Sequence, residues 1–341
     1  MYQDSKTTIK SIASEAGVSI GTVSNVMNGT GRVAEETILK VKRIAKERNY
    51  IPNSSARNLR AKKSHLIALI VPFLEKSTIH DSPFYWELAT SIESGVRDHN
   101  LHVIFTGLDH DQDVSFVRDR NLDGVIVIGT SDDSPIVSQL KSYGVPLVVL
   151  DSYLSDPTVH QVHLDDQMGG YVGTKHLIDL GHRRIAFVTD LLLDRGLNYM
   201  RWLGYKTALE EHGISYDSNL IIESNLSFNS GYHAAQQVFQ KGQDVTAVFV
   251  LSDVTAIGLI KGLNELGYSV PERMSVLGFD DIRVTEFSAP PLTTINQNIV
   301  DKGQQATRLL MNQIEGIESV QKNIVLPVTL KVRQSTARIN G

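Results

Sequence analysis

From residue 66 to residue 281 the chain repeats one pattern, a short and nearly continuous apolar run followed by a longer amphipathic stretch. LIALIVP (66–72), LHVIFTG (101–107), DGVIVIG (123–129), PLVVLD (146–151), RIAFVTD (184–190), TAVFVLSD (246–253) and MSVLGFDD (274–281) are the runs. Runs this apolar read as buried strands, and helical stretches lie between them, the first from about Pro83 to His99. Strands alternating with helices argue for parallel sheets with right-handed crossovers. The tail LPVTLKVRQSTARING closes a last strand. About ten strands suit two α/β lobes better than one sheet.

Residues 8–63 follow another period. Ile9, Ile12, Ala13 and Ala16 recur at helical spacing until Gly17 breaks the pattern. Ser19 can cap a second helix that buries Val23, Val26 and Met27 and leaves Ile20, Gly21, Thr22, Ser24 and Asn25 outside. Two helices joined by a tight glycine turn, the second presenting small polar residues, form a helix-turn-helix pattern. A third helix spans Glu35 to Asn49, with Ile38, Val41, Ile44 and Ala45 on one face. Glu35 and Glu36 suit the positive end of its macrodipole, and Tyr50 and Pro52 end it. Asn53 then caps NSSARNLR, a helix of about two turns, which is marginal in water and expected to form on DNA. Leu59 is its one large apolar residue. It reads as a wedge between base steps of the minor groove, or as a contact with its own copy in a dimer; the two are compatible.

Charge separates the same two regions. The formal net charge is −5, yet residues 1–63 carry +7 and the remainder −12. A basic head on an acidic body indicates that the head alone meets a polyanion. A solvated basic helix would look similar, and the helix-turn-helix spacing decides between them. Zero cysteines exclude disulfides and thiolate metal sites and suit the cytoplasm. MYQDSKTTIK has no apolar signal region, and no run of about 18 apolar residues exists. His160 and His163 lack a third clustered ligand, so packed or solvated histidines are expected rather than a metal. There is no G-x-S-x-G elbow, no P-loop and no G-x-G-x-x-G after a strand, and GTGR at 29–32 follows a helix. Neither enzymatic activity nor a cofactor is expected.

AGVS (16–19), TVSNVMN (22–28), the NYIPN junction (49–53) and AR-x-L at Ala56 to Leu59 together resemble the lactose-repressor/galactose-repressor (LacI/GalR) family of bacterial transcription regulators. The resemblance continues to the C-terminus. It implies a small all-α helix-turn-helix head (1–52), a hinge helix (53–63) and an α/β two-lobed periplasmic-binding-protein-like core (64–341). The lobes would be 64–164 plus 294–322 and 165–292 plus 323–341, with PPLTTI (290–295) crossing between them. No leucine heptads follow the last strand, so a dimer is expected rather than a tetramer.

The resemblance also implies sites. Ser19, Thr22, Ser24 and Asn53 would contact phosphates or place donors at helix starts, and Ile20, Gly21 and Asn25 would read sequence, with Asn28, Ala56, Arg57 and Leu59 completing the DNA-binding set. Asn25 stands where many relatives carry Arg, which favours adenine over guanine, and Gly21 offers no side chain. For a small polar effector, a sugar or a purine, the carried-over residues are Arg201, Ser252, Asp253 and Asp280, with Asp151 a weaker candidate. The acids lie at the C-terminal ends of strands, where open α/β sheets bind ligands. Phe84, Tyr85 and Phe228 could supply stacking faces, although single aromatics are more often core. Asp165 and Asp166 read as helix caps. The function implied is a repressor of carbohydrate-utilisation genes, released from a pseudopalindromic operator by a sugar-like effector. Its rivals are a corepressor-dependent regulator responsive to purines or a phosphocarrier protein, and a sugar-binding receptor.

Overall fold

The structure, a computed structural model, describes residues 7–50, 63–71, 82–108, 113–190, 192, 195–242 and 244–339. They fall into two compact units, Met1–Ser64 and His65–Gly341.

The first unit consists of α1 (Ile9–Ala16), α2 (Ile20–Asn28) and α3 (Glu35–Glu47). Thr8 and Ser11 cap α1 reciprocally, each side chain accepting from the other's backbone N–H. Gly17 ends that helix at φ 67°, a left-handed position that suits glycine, and Ser19 Oγ opens α2 by accepting from Thr22 N at 3.0 Å. Ile12, Ala13, Ala16, Val23, Val26, Val41, Ile44 and Ala45 are buried, whereas Met27 is only half-buried. Helix α3 stops two residues before the expected Asn49, because Asn49 turns left-handed (φ 47°) and Tyr50 N–H reaches back to Ala45 O at 2.8 Å. Arg48 forks onto Glu15, with Nε and one terminal nitrogen at 3.0 and 3.1 Å, and ties the end of α3 to α1. The expected hinge residues Asn53, Ala56, Arg57 and Leu59 lie outside the described residues.

The second unit holds two six-stranded sheets. Sheet I runs in the order β11-β5-β4-β3-β1-β2, all parallel, from β1 (Leu66–Val71), β2 (His102–Gly107), β3 (Gly124–Ile128), β4 (Leu147–Leu150), β5 (His160–Leu164) and β11 (Asn323–Leu326). Its helices are α4 (Pro83–Arg97), α5 (Ser115–Asp119), α6 (Pro135–Ser142) and α11 (Ile299–Glu315). Sheet II runs β12-β10-β9-β8-β6-β7, from β6 (Ile185–Thr189), β7 (Ile221–Glu223), β8 (Ala247–Val250), β9 (Ser275–Asp280), β10 (Thr293–Asn296) and β12 (Thr329–Lys331). Only the β10–β12 pair is antiparallel. Its helices are α7 (Asp166–Asp179), α8 (Leu197–Glu211), α9 (Phe228–Gln240) and α10 (Asp253–Glu265). Strands β1, β3, β4, β6 and β8 are buried along nearly their whole length, which is why their sequences are apolar on both faces.

The crossings between lobes fall later than the resemblance implied. Strand β10, expected to begin the return to the first lobe, pairs with β9 in sheet II, so the chain crosses after Asn296. Strand β11, expected in the second lobe, pairs with β5 in sheet I, and the last crossing falls between Leu326 and Thr329. The expected helix from Pro83 likewise ends at Arg97 rather than His99. Among the described residues no helix is long and apolar enough to cross a membrane.

The pair α7 and α8 in sheet II's lobe depends on glycine from both sides. A Cβ on Gly170 would sit 1.9 Å from Arg201 O, and one on Gly204 would sit 2.0 Å from Gln167 O. Helices α7 and α8 therefore meet backbone to backbone, an approach open only to glycine.

Candidate functional site

In the head, the helical period places Ile20, Gly21, Ser24, Asn25 and Asn28 within an arc of about 140° on α2, away from buried Val23 and Val26. Ile20, Gly21, Asn25 and Asn28 are exposed, while Ser24 and Thr22 are half-buried. The hydroxyls of Ser19 and Thr22 stand 2.9 Å apart at the helix start, and Asn28 Nδ2 donates to Ser24 Oγ at 3.2 Å. Asn25 leans over the following turn, since a Cβ on Gly31 (φ 76°) would come within 2.8 Å of its Nδ2. Lys10, Arg32, Lys40, Lys42, Arg43 and Lys46 are all exposed. Such a surface offers hydroxyl and amide donors on one helix face, with cations around it to meet phosphates.

In the core unit, acids gather where strands of both sheets end. Asp151 follows β4, Asp190 follows β6, and Asp280 ends β9. Lys302 of α11, with 0% exposure, donates to Asp151 Oδ1 at 2.5 Å and also to Gln297 Oε1. Gln297 Nε2 donates in turn to Asp280 Oδ1. One hydrogen-bonded chain, Asp151–Lys302–Gln297–Asp280, thus runs from the end of sheet I to the end of sheet II. Phe84 and Tyr85 open α4 beside it, their rings edge to face at 5.2 Å, and Lys302 Nζ lies 5.4 Å from the Phe84 ring centre. Burial, then the fields of Asp151, Asp280 and Asp190, suppress ionisation of the Tyr85 phenol. Burial lifts the Asp280 carboxyl to about 7, against the opposing pull of Arg201, Lys302 and its own hydrogen bonds.

Arg201 lies beside this chain but is already paired. Its Nε donates to Asp166 Oδ1 at 2.8 Å, and its guanidinium stacks 3.6 Å from the centre of the Phe279 ring. Asp166 is not the cap that the sequence suggested. Asp165 takes that role, accepting from Met168 N, while the buried Asp166 accepts from Arg201 and from Tyr153 Oη at 2.9 Å. Tyr153 belongs to the first lobe and Arg201 to the second, so Asp166 joins the lobes at their crossing.

The remaining expected effector residues take packing roles within sheet II's lobe. Asp253 is fully buried and accepts from Thr294 Oγ1 at 2.6 Å and from Ile282 N at 3.0 Å. Burial and the nearby Asp280 push its carboxyl well above the usual range, and it serves as a brace behind β9 and β10. Ser252 is buried at the start of α10 without capping that helix through its side chain. Phe228 opens α9, where its carbonyl would lie 2.0 Å from a Cβ on Gly258, so its backbone seals α9 against α10. His163 packs against the Tyr153 ring at 4.6 Å, its Nδ1 3.0 Å from Leu164 O.

Sequence reasoning missed Lys302, Gln297, Tyr153 and the true role of Asp166. For Lys302 a signal existed, since it falls in the stripe Ile299, Gly303, Ala306 and Leu310 that α11 buries.

Similarity to known proteins agrees with both units. The model for bacterial regulatory proteins of the lacI family matches residues 8–53, and a periplasmic binding protein-like domain matches 174–336. The HTH-type transcriptional regulator DegA of Bacillus subtilis is 34% identical, covering 98% of this chain and 99% of its own length. A structure of the transcriptional regulator CelR in complex with cellobiose covers 96% of this chain and 99% of its own at 31% identity and TM-score 0.74. The lac repressor dimer, bound to operator and the anti-inducer ONPF, covers 97% and 99% at 27% identity and TM-score 0.84. With a matching head and end-to-end relatives, this chain belongs to the lacI family of bacterial regulatory proteins, the DNA-binding transcription regulators.

Proposed function

We propose that the protein is a dimeric, cytoplasmic repressor of carbohydrate-utilisation genes, released from a pseudopalindromic operator by a small polar effector bound between its lobes. The observation that carries this reading is the hydrogen-bonded chain Asp151–Lys302–Gln297–Asp280 joining the strand ends of two sheets, in a chain whose head is a helix-turn-helix. Neighbouring sugar hydroxyls donate to carboxylates, and Phe84 and Tyr85 offer faces for an apolar ring side. The cellobiose complex of CelR supports a carbohydrate as the effector type.

On DNA, Ile20, Gly21, Ser24, Asn25 and Asn28 face the major groove, with Ser19 and Thr22 on phosphates. Asn53, Ala56, Arg57 and Leu59 form the hinge that enters the minor groove. A second copy covers the apolar side chains left outside on the core unit. Trp86 is 57% exposed and Phe287 74%, and Val284 and Val300 are exposed near them. These belong to one neighbourhood, because Arg283 N donates to Glu87 Oε1 at 3.0 Å and Ser91 Oγ to Val300 O at 2.8 Å. Effector binding favours one lobe arrangement and separates the paired hinges. A 100:1 change in population requires a differential affinity of about that factor.

The test is fluorescence anisotropy with an operator selected from a DNA library, with and without a panel of sugars. Release by one sugar is expected. A small molecule required for binding would instead make the protein a corepressor-dependent regulator. Leu59→Ala should weaken the selected operator while sparing nonspecific DNA, and equal loss on both would remove the wedge.

A further inference from the structure

The two cations of this cluster, Lys302 and Arg201, are both held in ion pairs. Lys302 donates to Asp151 and Gln297, and Arg201 donates through Nε to Asp166 and through one terminal nitrogen, at 3.4 Å, to Leu251 O. The pairs are buried, with Lys302 at 0% and Arg201 at 5% exposure, so water screens them little. Beyond these pairs Asp190 and Asp280 add acids at the strand ends, and among the described residues Lys302 is the cation that hydrogen-bonds into the chain. Binding a phosphate or carboxylate there would require breaking a buried ion pair or placing an anion beside carboxylates, and both are costly.

We propose that this cleft selects its effector by charge. Asp151 and Asp166 neutralise Lys302 and Arg201 in buried pairs, so the site takes an uncharged polyhydroxylated molecule and turns away phosphorylated and carboxylated ones, with Asp151 as the specificity-determining residue. This rests on the effector-cleft reading above. Asp151 acts through Lys302: it neutralises a lysine that would otherwise be an anion receptor at the end of β4. Gln297 extends the same lock to Asp280 across the lobe crossing, so the charge filter and the lobe arrangement share one chain of hydrogen bonds.

The full-length protein is titrated with glucose 6-phosphate and with inorganic phosphate at constant ionic strength and a pH above the Asp280 midpoint. Calorimetry and thermal shift are read for the wild type, Asp151→Asn, and Asp151→Asn with Lys302→Met. Freeing one buried lysine should tighten glucose 6-phosphate by about tenfold or more in Asp151→Asn. The double variant, with no lysine to free, should lose that gain. Asp280→Asn, altered at the more open end of the chain, should show a smaller gain in the same direction and serves if Asp151→Asn fails to fold. In parallel, the wild type is offered unphosphorylated hexoses and disaccharides and their 6-phosphates, with operator release as readout.

Neutral sugars that release the operator while their phosphates do not would support both readings. A phosphorylated sugar that binds the wild type and loses affinity in Lys302→Met would overturn the charge filter and leave an effector cleft. If no sugar acts but Asp151→Asn gains phosphate, the filter stands and the carbohydrate reading falls. If Asp151→Asn and Asp280→Asn both gain nothing, the filter is overturned.

Discussion

Replacing Arg201 by Met tests how the lobe crossing is built. The substitution keeps most of the side-chain stem but removes the group that satisfies Asp166 Oδ1 at 2.8 Å and stacks on Phe279 at 3.6 Å. Asp166 is 1% exposed, so its carboxylate would remain buried with only the Tyr153 hydroxyl as side-chain donor. Removing one partner of a buried pair costs about 3–5 kcal/mol. The surviving Tyr153 bond places this case near the lower end, and the lost stacking adds roughly 1 kcal/mol. A total of about 4 kcal/mol would lower Tm by roughly 8–16 °C in a domain of this size. The asymmetry is the sharper part. Asp166→Asn in the Arg201→Met background removes the stranded charge and should restore about 2 kcal/mol, leaving the stacking loss and about 1 kcal/mol for the unreplaced hydrogen bond. Urea unfolding followed by circular dichroism and tryptophan fluorescence gives the double-mutant cycle, provided the two probes coincide. A coupling energy below about 0.5 kcal/mol would refute the reasoning, because independent sites add to within that range.

Gly170→Ala places a Cβ 1.9 Å from Arg201 O, where no flexible side chain can yield. Separation of α7 from α8 should cost at least about 1–3 kcal/mol, visible in the urea midpoint. A pH series tests Asp280: burial raises its carboxyl to about 7 between Arg201, Lys302 and Asp253, so the folded cleft holds a proton that the unfolded chain has released. Stability of the empty protein should therefore fall as pH rises towards 7. A polyol donating to the carboxylate favours its ionised form, so affinity should drop up to about tenfold per pH unit below 7 and level off above it. Calorimetry across pH reads this, and a slope that persists in Asp280→Asn would exclude Asp280 as its source. In the head, Gly31→Ala strains a φ of 76° and drives a Cβ to 2.8 Å from Asn25 Nδ2. Discrimination among operator variants should weaken more than nonspecific binding, as competition gel shifts would reveal.

The two architectures were legible because each has its own period. Strands buried on both faces left apolar runs such as Gly124–Ile128 and Ala247–Val250, and the glycine between α1 and α2 marked a turn whose φ of 67° suits that residue. The lobe crossings were less legible, since β10 and β11 are four-residue strands whose partners are chosen by tertiary packing. In the site, the acids ending β4 and β9 were visible as polar residues closing apolar runs. Their partners were not. Lys302 lies 151 residues from Asp151, and Asp166 resembles a cap until Arg201 arrives from 35 residues away. Asp253 looked equivalent to Asp280, but the hydroxyl of Thr294, 41 residues on, and the backbone N–H of Ile282 hold it inward.

The most direct measurement is operator affinity, on a pseudopalindrome selected from a DNA library, across a panel of neutral sugars, sugar phosphates and purines. The expected result is tight binding without ligand and release by a neutral sugar, lost when Asp280 is replaced by Asn. Absence of specific binding under every condition would contradict a ligand-controlled operator-binding protein.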